Sequence, residues 1–286
     1  MIEHRSLKNT DVKEIHIAFT DAFSNYEVPF NLTYQELTYL LERRGFNQEM
    51  SYGSFCKDKL VGFVLNSIEE WKGIPTAYDT GTGIIKEFQG KGIAKDLFAF
   101  CIKDLKKKGM QQYLLEVIKT NTKAIQLYKD LGFQICKDYD YYVFAQSKLN
   151  YITSKNSFDI NIEETSMMRR NEIEQCASID PSWQNSFTSI HRKIKNFTVL
   201  KASIQGESIG YGIIEKHTGD IPLLAIHPDF RNRGIGTSLL KHLGSFSQSE
   251  QIKMINIQSD YKPFKELFRS LQISPGKGQY EMILKF

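Results

Sequence analysis

Two short stretches, Gln89-Gly90-Lys91-Gly92-Ile93-Ala94 and Arg231-Asn232-Arg233-Gly234-Ile235-Gly236, carry residue types suited to holding an anion on the backbone. Each follows an apolar, strand-like run and opens a helix-like one. A loop of this kind aims several N–H groups, and the positive end of a helix, at one phosphate. Glycine lets the phosphate approach the main chain with no side chain in the way. Neither stretch fits the commoner nucleotide loops. A dinucleotide fingerprint needs three glycines early in a βαβ unit and an acidic residue about 20 positions on. A nucleoside-triphosphate loop needs Ser or Thr where Gly92 stands. Metal chemistry finds no footing: the six histidines lack an H-x-x-x-H spacing, the four cysteines form no C-x-x-C pair, and no metal site is expected.

The elements around the loops explain why each sits where it does. A short strand over 2–7 is followed by helices over 10–21 and 33–43, and strands over 50–57 and 60–71 flank Asp58-Lys59. The strand over 76–87 runs into the first loop. Behind that loop Ile93, Ala94, Leu97, Phe98, Cys101, Ile102 and Leu105 recur at helical spacing up to Gly109. A strand over 113–118, a helix over 122–131 and two further strands reaching about Gln146 complete the first half. In the second half, helices near 168–178 and 186–194 precede strands over 198–204, 208–215 and 222–227. The last strand enters the second loop, and its helix stops near Gly244. Strand 254–258, helix 263–271 and strand 280–285 follow. The same order written twice, with 142 residues between Gln89 and Arg231, reads as a diverged tandem repeat. The expected boundaries are a first domain over 1–148, a polar junction over 149–158 and a second domain over 159–286.

Composition narrows the function classes. A chain of 286 residues with 41% hydrophobic and 24% charged content is ordinary for two globular domains. The formal charge of +4 is spread over both halves without a basic stripe, which argues against a nucleic-acid partner. The densest cationic run, Lys103 to Lys108, falls at a helix end, where cations favour the dipole. The cysteines read as free thiols of a reducing compartment. No apolar run approaches the ~20 residues that span a bilayer, so no membrane partner is expected. Met1-Ile2-Glu3-His4-Arg5 starts as a charged alternating strand and not as a leader, so a cytoplasmic location is expected.

At this point the chain resembles the GNAT superfamily, the acyl-CoA-dependent N-acyltransferases. Gln89-x-x-Gly92-x-Ala94 and Arg231-x-x-Gly234-x-Gly236 both match the family's Arg/Gln-x-x-Gly-x-Gly/Ala loop after a strand. Asn121-x-x-Ala124-x-x-Leu127-Tyr128-x-x-x-Gly132-Phe133 is similar to its fourth-helix motif. The match covers 1–147 and about 198–286. The resemblance implies an α+β (α/β) protein of two GNAT-like domains, each a central, mostly antiparallel mixed sheet flanked by helices. It implies acetyl-CoA as donor, with the backbone of Thr82, Gly83 and Ile84 pairing with the pantetheine amides. Gln89, Gly90, Lys91, Gly92, Ile93, Ala94 and Lys95 would hold the pyrophosphate, and Asn121 would reach the pantetheine arm.

Direct transfer from a thioester expels a thiolate, and a phenol that is protonated at neutral pH can donate to it. Tyr128, almost two turns after Asn121, is the candidate acid. The incoming amine must lose a proton, and Asp79, Glu116 and the pair Glu69 and Glu70 are candidate acceptors. In the second half, Leu224, Ala225 and Ile226 with Arg231, Asn232, Arg233, Gly234, Ile235, Gly236 and Thr237 could bind a second acyl-CoA. An ungapped alignment nevertheless sets Tyr261 at the place of Asn121 and Phe268 at that of Tyr128. The first domain is therefore expected to be the catalytic one; the alternative is that the second is the active half, using a water or no acid. The acceptor would be a primary amine of a small molecule or peptide, its pocket drawn from the loops at 22–31 and 69–76 and from the inter-domain face, on a monomer or homodimer. Two alternatives stand beside this reading: an acetyltransferase for a cationic, aminoglycoside-like antibiotic, and a non-catalytic acyl-CoA sensor.

Overall fold

The computed structural model describes residues 1–24, 31–151, 159–166, 170–176 and 180–286. Most of the expected loop at 22–31 and of the junction at 149–158 lies outside the described residues. In chain order the elements are β1 (Ile2–Ser6), α1 (Val12–Phe23), α2 (Tyr34–Arg44), β2 (Tyr52–Cys56), β3 (Lys59–Trp71), β4 (Ile74–Ile84), α3 (Ile93–Lys107), β5 (Gln112–Ile118), α4 (Thr122–Asp130) and β6 (Gln134–Ala145). They continue as β7 (Asn161–Glu164), α5 (Arg170–Cys176), α6 (Phe187–Arg192), β8 (Phe197–Ile204), β9 (Glu207–Glu215), β10 (Leu223–Ile226), α7 (Ile235–Ser245), β11 (Gln251–Gln258), α8 (Lys262–Ser270) and β12 (Gln279–Lys285). The chain forms two compact units: Met1–Lys137 together with Tyr280–Phe286, and Asp138–Gln279. No helix among the described residues is long and apolar enough to cross a membrane.

Unit 1 is a mixed sheet in the order β1-β2-β3-β4-β5-β12-β6, antiparallel from β1 to β4 and parallel between β4 and β5. Helix α1 begins at Asp11, whose side chain accepts from Lys13 N, and α2 begins with a reciprocal Thr33–Glu36 capping box. Both bury an apolar stripe (Ile15, Ala18 and Phe19; Leu37 and Leu41) in one cluster with Leu7, Val61, Phe63 and Leu65. Helix α3 covers the other cluster with Leu97, Phe98, Cys101 and Leu105, which meet Tyr113, Tyr128 and Phe133. Its cationic end pairs Lys108 with Asp104 at 3.3 Å, one turn back.

The expected pair of strands after α4 is one twelve-residue strand, β6. The neighbour of β5 is β12, far along the chain. Met282 of β12 is fully buried in the cluster that holds Tyr128, Leu284 lies against Gly132, and Phe286 N donates to Gln111 O at 2.9 Å. Glu281, 3% exposed, accepts from Cys136 Sγ at 3.4 Å and pairs with Lys137 at 3.6 Å. Local alternation reveals a strand but not its partner.

Unit 2 repeats the plan on a smaller scale. A four-stranded antiparallel sheet, β10-β9-β8-β7, carries α5 and α7, and β11 pairs with the Asp138–Ala145 part of β6. Strand β7 was not anticipated; its four residues are too few and too polar for a readable pattern. The repeat is close where it can be compared: α8 matches α4 residue for residue at nine residues each, and Gly234 caps α7 (φ 82°) as Gly92 caps α3 (φ 78°).

Candidate functional site

The first loop leaves β4 through a 3-10 turn, Lys86–Phe88, and Gln89 folds back so that Nε2 donates to the carbonyl of Ile84 at 2.9 Å. In unit 2 Arg231 does the same at the same spacing: Nε donates to Ile226 O at 2.9 Å, and Nη2 to Cys176 O at 3.3 Å. The leading residue of each motif therefore ties its loop to the strand that precedes it. Gly90 (φ 74°) and Gly92 (φ 78°) are left-handed, and a Cβ added at either would meet nothing within 4 Å. Open space lies above both. Helix α3 starts there without a side-chain cap, so its first N–H groups face that space beside Lys91 and Lys95. This is what an anion needs.

The strand feeding this loop is split from its neighbour. Ladder pairs between β4 and β5 run from Thr76–Gln112 to Asp79–Leu115 and stop, although β4 continues to Ile84 and β5 to Ile118. At the same point the β3–β4 register slips: Leu65 faces Gly81 and Asn66 faces Asp79, leaving Thr80 as an extra residue. The bulge bends β4 away. Beyond it Thr82, Gly83 and Ile84 pair with β3 on one edge, and their other edge, where Gln89 Nε2 holds the Ile84 carbonyl, lines a wedge that ends at the glycine loop. Gly83 is needed for packing as well, since a Cβ there would meet Phe63 at 2.6 Å and Ala22 at 2.8 Å.

Asp79 stands at the apex of the wedge, 9% exposed. Its Oδ1 accepts from Gly81 N at 3.0 Å and its Oδ2 from Thr82 Oγ1 at 2.8 Å. Burial raises its pKa to about 6 against the pull of those two hydrogen bonds and of the Arg44 guanidinium. Glu116 follows one residue beyond the last ladder pair on β5, half-buried, and its charge helps hold the buried Tyr78 phenol well above its ordinary value. Glu69 and Glu70 face Thr76 and Pro75, at the closed end of the same ladder, and the structure does not bring them to the wedge.

Asn121 caps α4, its Oδ1 accepting from Ala124 N at 3.1 Å. Tyr128, 8% exposed, sits edge-on to Phe98 at 5.3 Å and tilted against Phe133 at 5.8 Å. It lies in the same cluster as the first turns of α3.

In unit 2, Leu224 and Ala225 are buried on β10, Ile235 begins α7 with Gly236 and Thr237 behind it, Asn232 takes a left-handed φ of 61°, and Arg233 lies over the Phe230 ring. The wedge is built differently. The β9–β10 ladder pairs Leu223–Ile226 with Ile213–Gly210, beyond it Glu215 N donates to Asp220 O at 2.8 Å, one residue out of that register, and the β4–β5 ladder has as its counterpart one bridge, Asp220 to Lys253. Counting back from the loop, Ile221 stands ten residues before Arg231 as Asp79 stands ten before Gln89. Asn256, at the place of Glu116, donates through Nδ2 to Ser182 Oγ at 3.0 Å, and Asn185 Nδ2 donates to Ile255 O at 2.9 Å. Phe268, 1% exposed, stacks on Tyr142 at 3.9 Å.

Sequence reasoning missed Thr80 and Arg44, whose Nη1 donates to Thr80 O at 3.0 Å. The run Asp79-Thr80-Gly81-Thr82-Gly83 held the available signal, because two glycines inside a strand mark a bulge or a close approach.

Comparison with known proteins bears on this arrangement. Residues 15–133 match the model of the acetyltransferase (GNAT) family, and 195–271 that of an acetyltransferase (GNAT) domain. N-alpha-acetyltransferase 30 of Schizosaccharomyces pombe is 30% identical over 110 residues, covering 38% of this chain and 73% of that protein. N-alpha-acetyltransferase MAK3 of Arabidopsis thaliana is 29% identical over 117 residues, 40% of this chain and 58% of that one. Among solved structures, a tandem GNAT protein from the clavulanic acid biosynthesis pathway aligns over 100% of this chain and 98% of its own, at a TM-score of 0.72 and 13% identity. That likeness is one of fold.

Proposed function

The chain belongs to the GNAT acetyltransferases as a tandem, two-domain member, and from that premise we propose that unit 1 transfers an acetyl group from acetyl-CoA to a primary amine of a peptide or small molecule. Transfer is direct, within a ternary complex. The observation that carries this reading is the wedge: a sheet that opens at a buried carboxylate and runs on to a glycine-capped helix.

The residues present fit the donor. The space above Gly90 and Gly92 admits a pyrophosphate onto the backbone from Gly90 to Lys95, and the edge of Thr82, Gly83 and Ile84 turned away from β3, the Ile84 carbonyl excepted, offers hydrogen bonds to an extended amide arm. Acetyl-CoA supplies an acyl group activated as a thioester. Asp79 accepts the proton that the amine nitrogen gives up as it bonds to the acyl carbon; Glu116 is the second candidate for that role. With its pKa near 6, Asp79 is ionised at pH 7 and is closer to the working pH than an exposed carboxylate. The Tyr128 hydroxyl provides a proton to the sulfur as the C–S bond breaks, and recovers one from solvent. Holding amine and acyl carbon at attack distance supplies much of the remaining rate.

Unit 2 is read as the non-catalytic partner, because Ile221 and Phe268 stand where a base and an acid are needed. The similarity to N-alpha-acetyltransferases favours a peptide α-amine as first acceptor to try. The test is release of free CoA thiol over a panel of N-terminal peptides, polyamines and aminoglycosides. Turnover with one amine class supports the proposal. Tight acetyl-CoA binding by calorimetry without turnover on any amine would instead make the protein an acyl-CoA sensor.

A further inference from the structure

Where β4 and β5 separate, one cation reaches the bulge from outside the sheet. Arg44 is the last residue of α2, and Gly45 ends that helix in a left-handed turn (φ 84°) with its N–H on the carbonyls of Glu42 and Leu41. From there Nη1 donates to the carbonyl of Thr80, the residue that the register slip leaves over. A bulged residue has no place in the ladder. Arg44 supplies its carbonyl with a partner, while the Asp79 carboxylate secures the other side of the bulge through Gly81 N and Thr82 Oγ1.

We propose that Arg44 is a positioning residue for acetyl transfer: by holding the Thr80 carbonyl it fixes the bulge that parts β4 from β5, and so keeps the Asp79 carboxylate at the apex of the wedge. The proposal rests on the reading of Asp79 as base. The groups that face Asp79 are Arg44 from α2, Cys101 from α3, Tyr113 from β5 and Tyr78 from its own strand. Burial drives the Cys101 thiol up to about 12 and both phenols well above their ordinary values, so at neutral pH only Arg44 among these carries charge.

The experiment uses the full chain carrying Arg44→Met or Arg44→Lys, labelled with 13C-carboxyl aspartate, the Asp79 signal being the one lost in Asp79→Asn. In Arg44→Met the Asp79 carboxyl is expected to titrate at a higher pH than in the wild type, and the acid limb of kcat/KM to move with it. The Gly81 and Thr82 amides should exchange at least tenfold faster, and kcat should fall at least tenfold with a smaller change in KM. Arg44→Lys, which keeps the charge, should return the titration towards the wild-type position. Arg44→Gln keeps a donor and drops the charge; it should shift the titration without loosening Gly81, and it serves if the methionine variant does not fold. A wild-type titration and wild-type Gly81 exchange in Arg44→Met would overturn the proposal. Shifts at Asp79 and Gly81 with unchanged kcat overturn it too, but through the base assignment, in which case Asp79→Asn also turns over near the wild-type rate.

Discussion

Replacing Asp79 by asparagine should make unit 1 more stable and the enzyme much slower. Asp79 is 9% exposed, and its carboxyl titrates near 6 in the folded chain against 3.8 for an ordinary aspartate. The folded state therefore holds the proton more tightly than the unfolded one. Above about pH 7 both states are ionised and the fold bears the full cost of a desolvated charge, about 3 kcal/mol at 1.36 kcal/mol per pH unit. As the pH falls through 6 towards 3.8 the folded state gains a proton first and that cost disappears. The side-chain amide introduced by Asp79→Asn would still accept from Gly81 N, and it carries no charge to desolvate. At pH 8 the variant should gain up to about 3 kcal/mol, and near pH 4 nothing. Urea unfolding at pH 8, 6 and 4.5, followed by segment-resolved hydrogen exchange in β4 and β5, reads the difference. In the same variant kcat should drop on the order of 10²–10⁴-fold, the range for loss of a general base, and the wild-type fall in kcat/KM below pH 6 should vanish. A variant less stable than wild type at pH 8 would show that Arg44 and the two hydrogen bonds more than compensate the buried charge. Unimpaired turnover would remove Asp79 from the chemistry.

Other outcomes are open to direct measurement. Tyr128→Phe, which keeps the ring between Phe98 and Phe133, should lower kcat by about 10²-fold or more with little change in acetyl-CoA affinity; an unchanged rate removes the phenol from the mechanism. Gly92→Val puts a β-branched side chain at φ 78° and into the open space above the loop, and calorimetry should then find no acetyl-CoA binding at unit 1; undiminished binding would refute the loop's role. Met282→Ala should cost about 2–5 kcal/mol through a cavity beside Tyr113 and Phe133, seen as faster amide exchange in α3 and β5; protection equal to wild type there would mean β12 contributes little to that core.

Much of this fold could be read along the chain because its signals are local. The stripe from Ile93 to Leu105 gave α3, and Gly90 and Gly92 gave the loop and the helix start within a residue. The ungapped comparison of Leu115–Phe133 with Ile255–Ile273 was right in register, since α4 and α8 coincide at both ends. What escaped depends on partners far apart in sequence. Alternation in Gln134–Ala145 identifies a strand but not that its neighbour lies near residue 282. The bulge at Thr80 needs the register against β3, and the reach of Arg44 to its carbonyl spans 36 residues. The carboxylates Glu69 and Glu70 looked equivalent to Asp79 by composition; only the ladder shows which end of the strand opens.

The place of β12 has a consequence for how the protein is made. Roughly 160 residues separate the end of β5 from the start of β12, so on a ribosome adding ~5–20 residues per second the amino-terminal half waits on the order of 8–30 s for its missing strand. During that interval the β5 edge is an unsatisfied template of the kind that recruits stray chains. A chain cut short anywhere before β12 therefore leaves the first half without its wall behind Tyr128.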